Sequence, residues 1–286
     1  MKTFLNDFKN LVKLRLTFLV VFSASISFLI APESQLEINW LSWLKLVIGG
    51  FLVTSAANGF NEIIEKDLDK LMKRTADRPL PSGRMTNGQA LVLSLLMGIF
   101  GTYLLGSLNI LTGLLSVFSI LFYAFIYTPL KRKSPIAVFV GAIPGALPPL
   151  IGYVAAHGFI DDVALILFGI QFVWQFPHFW AIAWVSHADY SRVGFKLLPA
   201  DKGPTKFTAL QSIMYAVLMI PFGFLPYYLG LTGQISMLIL LVANIFMVVQ
   251  CVRLYQNMGV PAARRVMFSS YIYLPIVYLA LLADKL

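Results

Sequence analysis

The sequence predicts an all-α, polytopic membrane protein with nine transmembrane helices. Composition is the first reason: the 286 residues are 58% hydrophobic and 12% charged, with mean hydropathy +0.78, whereas soluble domains carry about 25% charged residues. Periodicity is the second. The apolar residues gather into nine runs, most near the ~20 residues that a spanning helix needs. The third is charge placement: the positive residues fall in alternate connections, as cytoplasmic loops require.

In chain order the runs are Leu16–Ala31, Leu41–Phe60, Ala90–Leu108, Ile110–Tyr127, Ile136–Ala156, Val163–Val185, Phe207–Leu229, Ile235–Leu254 and Val266–Leu282. The first is too long for a signal peptide, and Ala31-Pro32-Glu33 is a poor cleavage site, so it reads as a retained helix. The fifth contains Pro144, Pro148 and Pro149; these lack a backbone donor, so that helix is expected to be kinked or widened. Every Lys and Arg except Lys45 and Lys285 lies at the N-terminus or in the second, fourth, sixth or eighth connection. The opposite connections carry Glu33, Glu37, His157, Asp161 and Asp162. The N-terminus is therefore expected in the cytoplasm and the C-terminus outside.

That asymmetry accounts for the formal charge of +9 without nucleic acid; the bilayer is the partner. The lone cysteine, Cys251, excludes an intramolecular disulfide and a cysteine-based metal site. Residues 1–286 read as one transmembrane domain. The longest connections, Asn61–Thr86 and His187–Lys206, are both cytoplasmic, and loops of such length are usually functional. Each follows a helix pair, which hints at an internal repeat.

Chemistry concentrates in the first of these connections. Asn61, Glu65 and Asp69 are spaced i, i+4, i+8 and share one helical face, with Asn58 a turn earlier. Carboxylates at a membrane helix end are costly to desolvate and point to function. An oxygen-rich face suits Mg²⁺, which bridges one or two carboxylates to a substrate phosphate. Downstream, Pro79, Pro81 and Gly83 force a compact loop, and Arg74, Arg78 and Arg84 offer forked donors to phosphate oxygens. Acid for metal beside Arg for phosphate makes a diphosphate site. The plainer reading, a solvated positive loop, holds for Lys66, Lys70 and Lys73 singly.

Asn-x-x-x-acid-x-x-x-Asp followed by Arg78-Pro79-Leu80-Pro81-Ser82-Gly83 resembles the first signature of the UbiA-type intramembrane prenyltransferases. Leu71-Met72-Lys73-Arg74-Thr75, Gly141-Ala142-Ile143-Pro144-Gly145-Ala146-Leu147-Pro148-Pro149, His178-Phe179-Trp180 and Asp189-Tyr190 resemble the protohaem IX farnesyltransferase branch within that family. The likeness runs from about Lys9 to Leu282. It implies nine helices around a central cavity in a bacterial inner membrane. It also implies transfer of a farnesyl group from farnesyl diphosphate to a vinyl group of haem b, giving haem O, with Mg²⁺ as cofactor. Asn61, Glu65, Asp69 and Asp189 would hold the metal, while Arg78 and Lys131 would stabilise the leaving diphosphate. Asn58, Arg74, Tyr127, His178, Asp189 and Lys202 complete the substrate-binding set. Association with haem A synthase or terminal oxidase assembly follows from the same likeness.

The chain departs from the pattern in two places. Glu65 stands where the signature normally has Asp, moving the carboxylate by about 1.5 Å. The position four after Asp189 is Val193, so a second carboxylate cannot come from there; Asp201 is a substitute without matching spacing.

Tyr127 and Lys131 match the family's Tyr-x-x-x-Lys pattern; on their own they read as a belt residue and a topology marker. His157 reads as solvated and His187 is open. His178 lies within a span beside Pro177 and could ligate haem iron, contact a propionate, or bond a carbonyl freed by that proline. Two rivals stand beside the farnesyl reading. One is a prenyltransferase acting on an aromatic acid or quinone precursor, which would share the diphosphate site. The other is a cation-coupled transporter, whose acids would sit nearer the midplane than the rim. A soluble-type prenyl synthase is excluded, since the adjacent pair Asp161-Asp162 is on the outer side.

Overall fold

The computed structural model describes residues 2–31, 38–200 and 203–286. Among these the chain is helical without a β-strand, apart from one isolated bridge between Thr232 and Lys285. The helices are α1 (Lys2–Leu11), α2 (Leu14–Ile30), α3 (Trp40–Asp69), α4 (Asn87–Gly106) and α5 (Ile110–Leu121). A π-helical stretch, Phe122–Tyr127, leads to the short α6 (Thr128–Leu130). There follow α7 (Ala137–His157), α8 (Asp162–Val185), the short α9 (His187–Arg192), α10 (Lys206–Tyr228), α11 (Gln234–Asn257) and α12 (Val260–Ala283).

Among the described residues eight spans are long and apolar enough to cross a membrane, and α1 with α2 makes a ninth if the pair, bent by 49°, counts as one. The chain is thus a multi-pass membrane protein of the predicted class. Polar caps fix the helix starts, because four N–H groups there lack partners. Thr86 and Gln89 form a reciprocal capping box. Asn39, Asn109, Asp161 and Thr205 each accept from a backbone N–H one turn into α3, α5, α8 and α10.

Three boundaries differ from expectation. The unforeseen α1 places Phe4, Phe8 and Leu11 at i, i+4 and i+7, an amphipathic spacing legible in the sequence. The second run ends at Phe60, but α3 continues to Asp69. At 1.5 Å per residue its 30 residues reach about 45 Å, well beyond a hydrocarbon core of about 30 Å. Its charged end therefore stands at the membrane rim. Finally, α12 begins six residues before Val266.

The helices α7 and α8 are central: 78% and 67% of their apolar windows are buried, against 44% or less for the other spans. They pack on each other, with α2 against α7 and α12 against both α2 and α8. The approach of α2 to α7 is close enough that a Cβ at Gly152 would lie 1.9 Å from the Ala24 carbonyl oxygen. The expected kink or widening of the fifth span does not break it; α7 runs as α-helix through all three prolines. Pro149 removes the donor for Gly145 O, and Gln171 Nε2 of α8 supplies one at 2.7 Å. A neighbouring helix thus re-satisfies the freed carbonyl, as a membrane interior demands.

Candidate active site

The rim end of α3 packs against the α1–α2 bend and α6. On that face Asn61, Glu62, Glu65 and Asp69 are all buried, although the amide and the three carboxylates would be solvated on an ordinary surface loop. Cations reach them from three other segments. Glu65 pairs with Lys131, Asp69 Oδ2 with Arg78 Nη1 at 2.7 Å, and Asn61 Oδ1 accepts from Lys13 Nζ at 2.7 Å. Asn61 Nδ2 donates in turn to Glu65 Oε2 at 2.9 Å and Thr128 Oγ1 at 3.0 Å. The amide is held on both sides, so its orientation is fixed.

The π-helical stretch makes the last of those bonds available. It replaces the i−4 spacing by i−5, a local widening frequent at functional sites. Thr128 N and Oγ1 both donate to Tyr123 O, and the hydroxyl oxygen then accepts from Asn61. The same turn sets the Lys131 ammonium 5.1 Å from the centres of the Tyr127 and Phe195 rings, within cation–π range. Tyr127 lies flat against α7, where any Cβ at Gly141 would meet its ring at 2.6 Å.

The connections that follow α3 and α8 meet over this cluster. Asp189 Oδ1 accepts from Lys73 N and Arg192 Nη1, both at 3.4 Å, Arg192 Nη1 donates to Leu71 O at 3.1 Å, and Lys196 N donates to Lys131 O at 2.7 Å. Arg74 Nη2 donates to Tyr190 OH at 3.4 Å, and burial raises the Tyr190 phenol above its usual range, which keeps it neutral.

Several predicted residues therefore fall elsewhere than expected. Asn58 is not stacked under the carboxylates; its Nδ2 donates to Val12 O at 3.3 Å and Thr17 Oγ1 at 3.2 Å, pinning the α1–α2 bend. Of the three arginines only Arg78 meets an α3 carboxylate. Arg74 is exposed beside Tyr190, and Arg84 is held by Asp7 and Asp77, each at 2.8 Å. Asp189 bonds to the loop after α3 and not to the carboxylates themselves. Lys202 and Asp201 lie outside the described residues. His178 Nδ1 is 2.7 Å from Ser270 Oγ of α12, so its partner is not the carbonyl freed by Pro177. The hydroxyl of Ser270 is spent on Met267 O at 2.6 Å, so Nδ1 carries the proton and Nε2 keeps its lone pair. The ring stacks on Trp174 with centroids 4.5 Å apart.

Glu62 was missed by the i, i+4, i+8 reading, yet Glu62, Glu65 and Asp69 share the i, i+3, i+7 spacing of one face. Its Oε1 accepts from Leu80 N at 3.2 Å, which ties the proline-rich loop to α3. Glu62 Oε2 and Asp69 Oδ1 are buried without a hydrogen-bond partner among the described residues. Orphaned carboxylate oxygens are costly unless something takes them up. Among the described residues no three acidic, histidine or cysteine side chains converge as a ready-made metal cage. A hard cation that binds through one or two carboxylates and substrate phosphates needs no such cage, and these oxygens fit one.

The chain matches the family model described as UbiA prenyltransferase family over residues 20–272. It is 47% identical over 278 residues to a protein of Cytophaga hutchinsonii named protoheme IX farnesyltransferase, covering 97% of this chain and 96% of that one. It is 39% identical to a protein of the same name from Flavobacterium johnsoniae, covering 99% and 96%. Among solved structures, one described in terms of digeranylgeranylglyceryl phosphate synthase in membranes superposes with TM-score 0.81 at 23% identity, covering 99% of both chains. A UbiA homologue from Archaeoglobus fulgidus bound to GPP and Mg²⁺ superposes with TM-score 0.71 at 12% identity, covering 96% of this chain and 99% of that one. By sequence over most of its length, and by fold, the chain belongs to the UbiA prenyltransferase family.

Proposed function

We propose that the protein transfers a farnesyl group from farnesyl diphosphate to a vinyl group of haem b. The allylic C–O bond breaks, diphosphate leaves with the bonding pair, and a C–C bond forms to the vinyl carbon. Water supplies the hydroxyl group of haem O. The observation that carries this reading is the likeness, along 97% of the chain, to the protein named protoheme IX farnesyltransferase, because it extends past the diphosphate end to the acceptor side.

Asn61, Glu65 and Asp69, with Glu62 beside them, would hold Mg²⁺, while Asp189 braces the connection above them. When bound, the metal supplies positive charge to the leaving diphosphate. Arg78 and Lys131 add fixed charge to the same oxygens, already aimed and needing no reorganisation. Both cations have buried carboxylate partners, so each is held in place before a donor arrives. Tyr127 backs Lys131 and lines the route for the prenyl chain. Deeper in the bundle, Phe176 and Tyr215 stack at 4.1 Å and Trp180 meets Tyr215 edge-on at 5.3 Å, a low-polarity lining that withholds water from a carbocation. His178, with Nε2 carrying a lone pair, faces the acceptor.

In the same reading the N-terminus lies in the bacterial cytoplasm and the C-terminus outside, in the inner membrane, with residues 1–286 acting as one domain. Product handover to haem A synthase or to terminal oxidase assembly is part of the same reading. The test is the pigment extracted from membranes of cells expressing the chain, resolved by mass. Haem O above the vector control is the expected result. Farnesyl diphosphate consumption with no modified haem, and a prenylated aromatic acid or quinone precursor in its place, would overturn the acceptor and favour the rival reading.

A further inference from the structure

Lys13 is the odd cation of the rim. It joins α1 to α2 at φ 48° and ψ 55°, in the left-handed region that favours glycine. Among the described residues Met258 alone of the other non-glycines has a positive φ. Strain of this kind persists where the surroundings dictate it, and it gathers at functional sites. Here the surroundings are firmly built. Val12 O accepts from Thr17 Oγ1 at 2.6 Å and from Asn58 Nδ2 at 3.3 Å, and Leu11 and Val12 are fully buried. Earlier on α1, Asp7 is held by Arg84. These contacts lock the turn, and the turn aims one side chain at Asn61.

The charges show what is left over. Lys131 and Arg78 each face a carboxylate, but Lys13 faces the neutral amide oxygen of Asn61. An ammonium has three donors. The bond to Asn61 is the one its side chain makes among the described residues, which leaves two donors without a partner. In the sequence Lys13 reads as a topology marker only, and the match to the family model begins after it, at residue 20.

We propose that Lys13 is a diphosphate ligand: the left-handed turn delivers its ammonium to a phosphate oxygen of the prenyl donor, beside Asn61. This rests on the donor reading above. The competing account is that Lys13 only shapes the turn, and glycine separates the two, since it suits a left-handed turn and carries no charge.

The experiment titrates inorganic diphosphate with Mg²⁺ into the purified full chain by calorimetry and follows thermal unfolding alongside. Lys13→Gly should keep or raise the unfolding midpoint while weakening diphosphate binding by about tenfold or more. Lys13→Arg, which restores the charge, should regain most of that affinity. Should Lys13→Gly not fold, Lys13→Asn, which also accepts the left-handed region, carries the same comparison. A parent protein that binds no diphosphate would overturn the donor reading itself. A parent that binds, with Lys13→Gly binding equally well or Lys13→Arg regaining nothing, would overturn the assignment of Lys13 alone.

Discussion

The C-terminal ends of α3 and α8 are laid out alike and carry different side chains. Each is a long helix beside its predecessor, followed by a polar connection that returns to the next span. The α3 helix runs unbroken to Asp69 with four buried oxygen-bearing side chains on its last turns. In contrast α8 stops at Val185, and the chain restarts as α9, whose one carboxylate, Asp189, is partly exposed and paired with Arg192. The polar residues buried in α8 lie deeper, at Gln171, Gln175 and His178. The amide nitrogens of both Gln side chains donate to carbonyls of α7. A likeness in layout has therefore not become a likeness in chemistry. One end gathers buried charged side chains, and the other presents an aromatic, sparsely polar wall.

The largest effect should come from the gripping end. Asp69→Asn keeps the size and removes the charge, leaving Arg78 unpaired and one oxygen fewer for a cation. Turnover should fall by about 10²-fold or more, the scale of losing a pre-aimed electrostatic group. Steady-state rates at saturating Mg²⁺ decide it: a variant as fast as the parent would mean that the carboxylate face of α3 is scaffolding.

The deep wall of α8 gives a second, differently shaped prediction. His178→Ala should weaken haem binding by about tenfold, read from the Soret band, and leave the affinity for inorganic diphosphate unchanged. The two sites use different side chains, so the losses should not mix. Equal haem affinity in the variant would reduce His178 to a packing partner of Ser270 and Trp174. A loss of diphosphate affinity would show that the two ends are coupled through the helix.

Much of this was legible before any coordinates. Apolar runs of helix length, positive charges in alternate loops and a helical spacing of acids locate the spans and the gripping end. Each is a local signal of composition or period. Two things were not legible and a third only in part, for physical reasons. The full length of α3 escapes an apolar-run criterion, which stops at Phe60, and shows only in the helical spacing of Asn61, Glu65 and Asp69, whose partners come from the α1–α2 bend, the residue after α6 and the following loop. The partners themselves, Lys13 with Asn61 and Arg78 rather than Arg84 with Asp69, depend on where a loop folds back, which spacing does not encode. Glu62 was passed over because one face was read at a single period, though a turn has two neighbouring rows.

The smallest effect should be at Asp189, and it tests the asymmetry most directly. If the α8 end is the weaker half of a symmetric clamp, Asp189→Asn should cost nearly as much as Asp69→Asn. The geometry argues otherwise. The Asp189 side chain is 20% exposed against 1% for Asp69, and its contacts, to Arg192 and to Lys73 N, are each 3.4 Å long. Pairs of that kind contribute up to about 1 kcal/mol, or roughly fivefold in rate if all of it is expressed in the transition state. Asp189→Asn should therefore slow turnover about two- to fivefold, with the loss rising as the loop over the cluster loosens. Parallel rate measurements on the two variants decide between the pictures. A loss at Asp189 of the same order as at Asp69 would mean that this carboxylate swings from Arg192 to the donor during turnover, and that both ends grip after all.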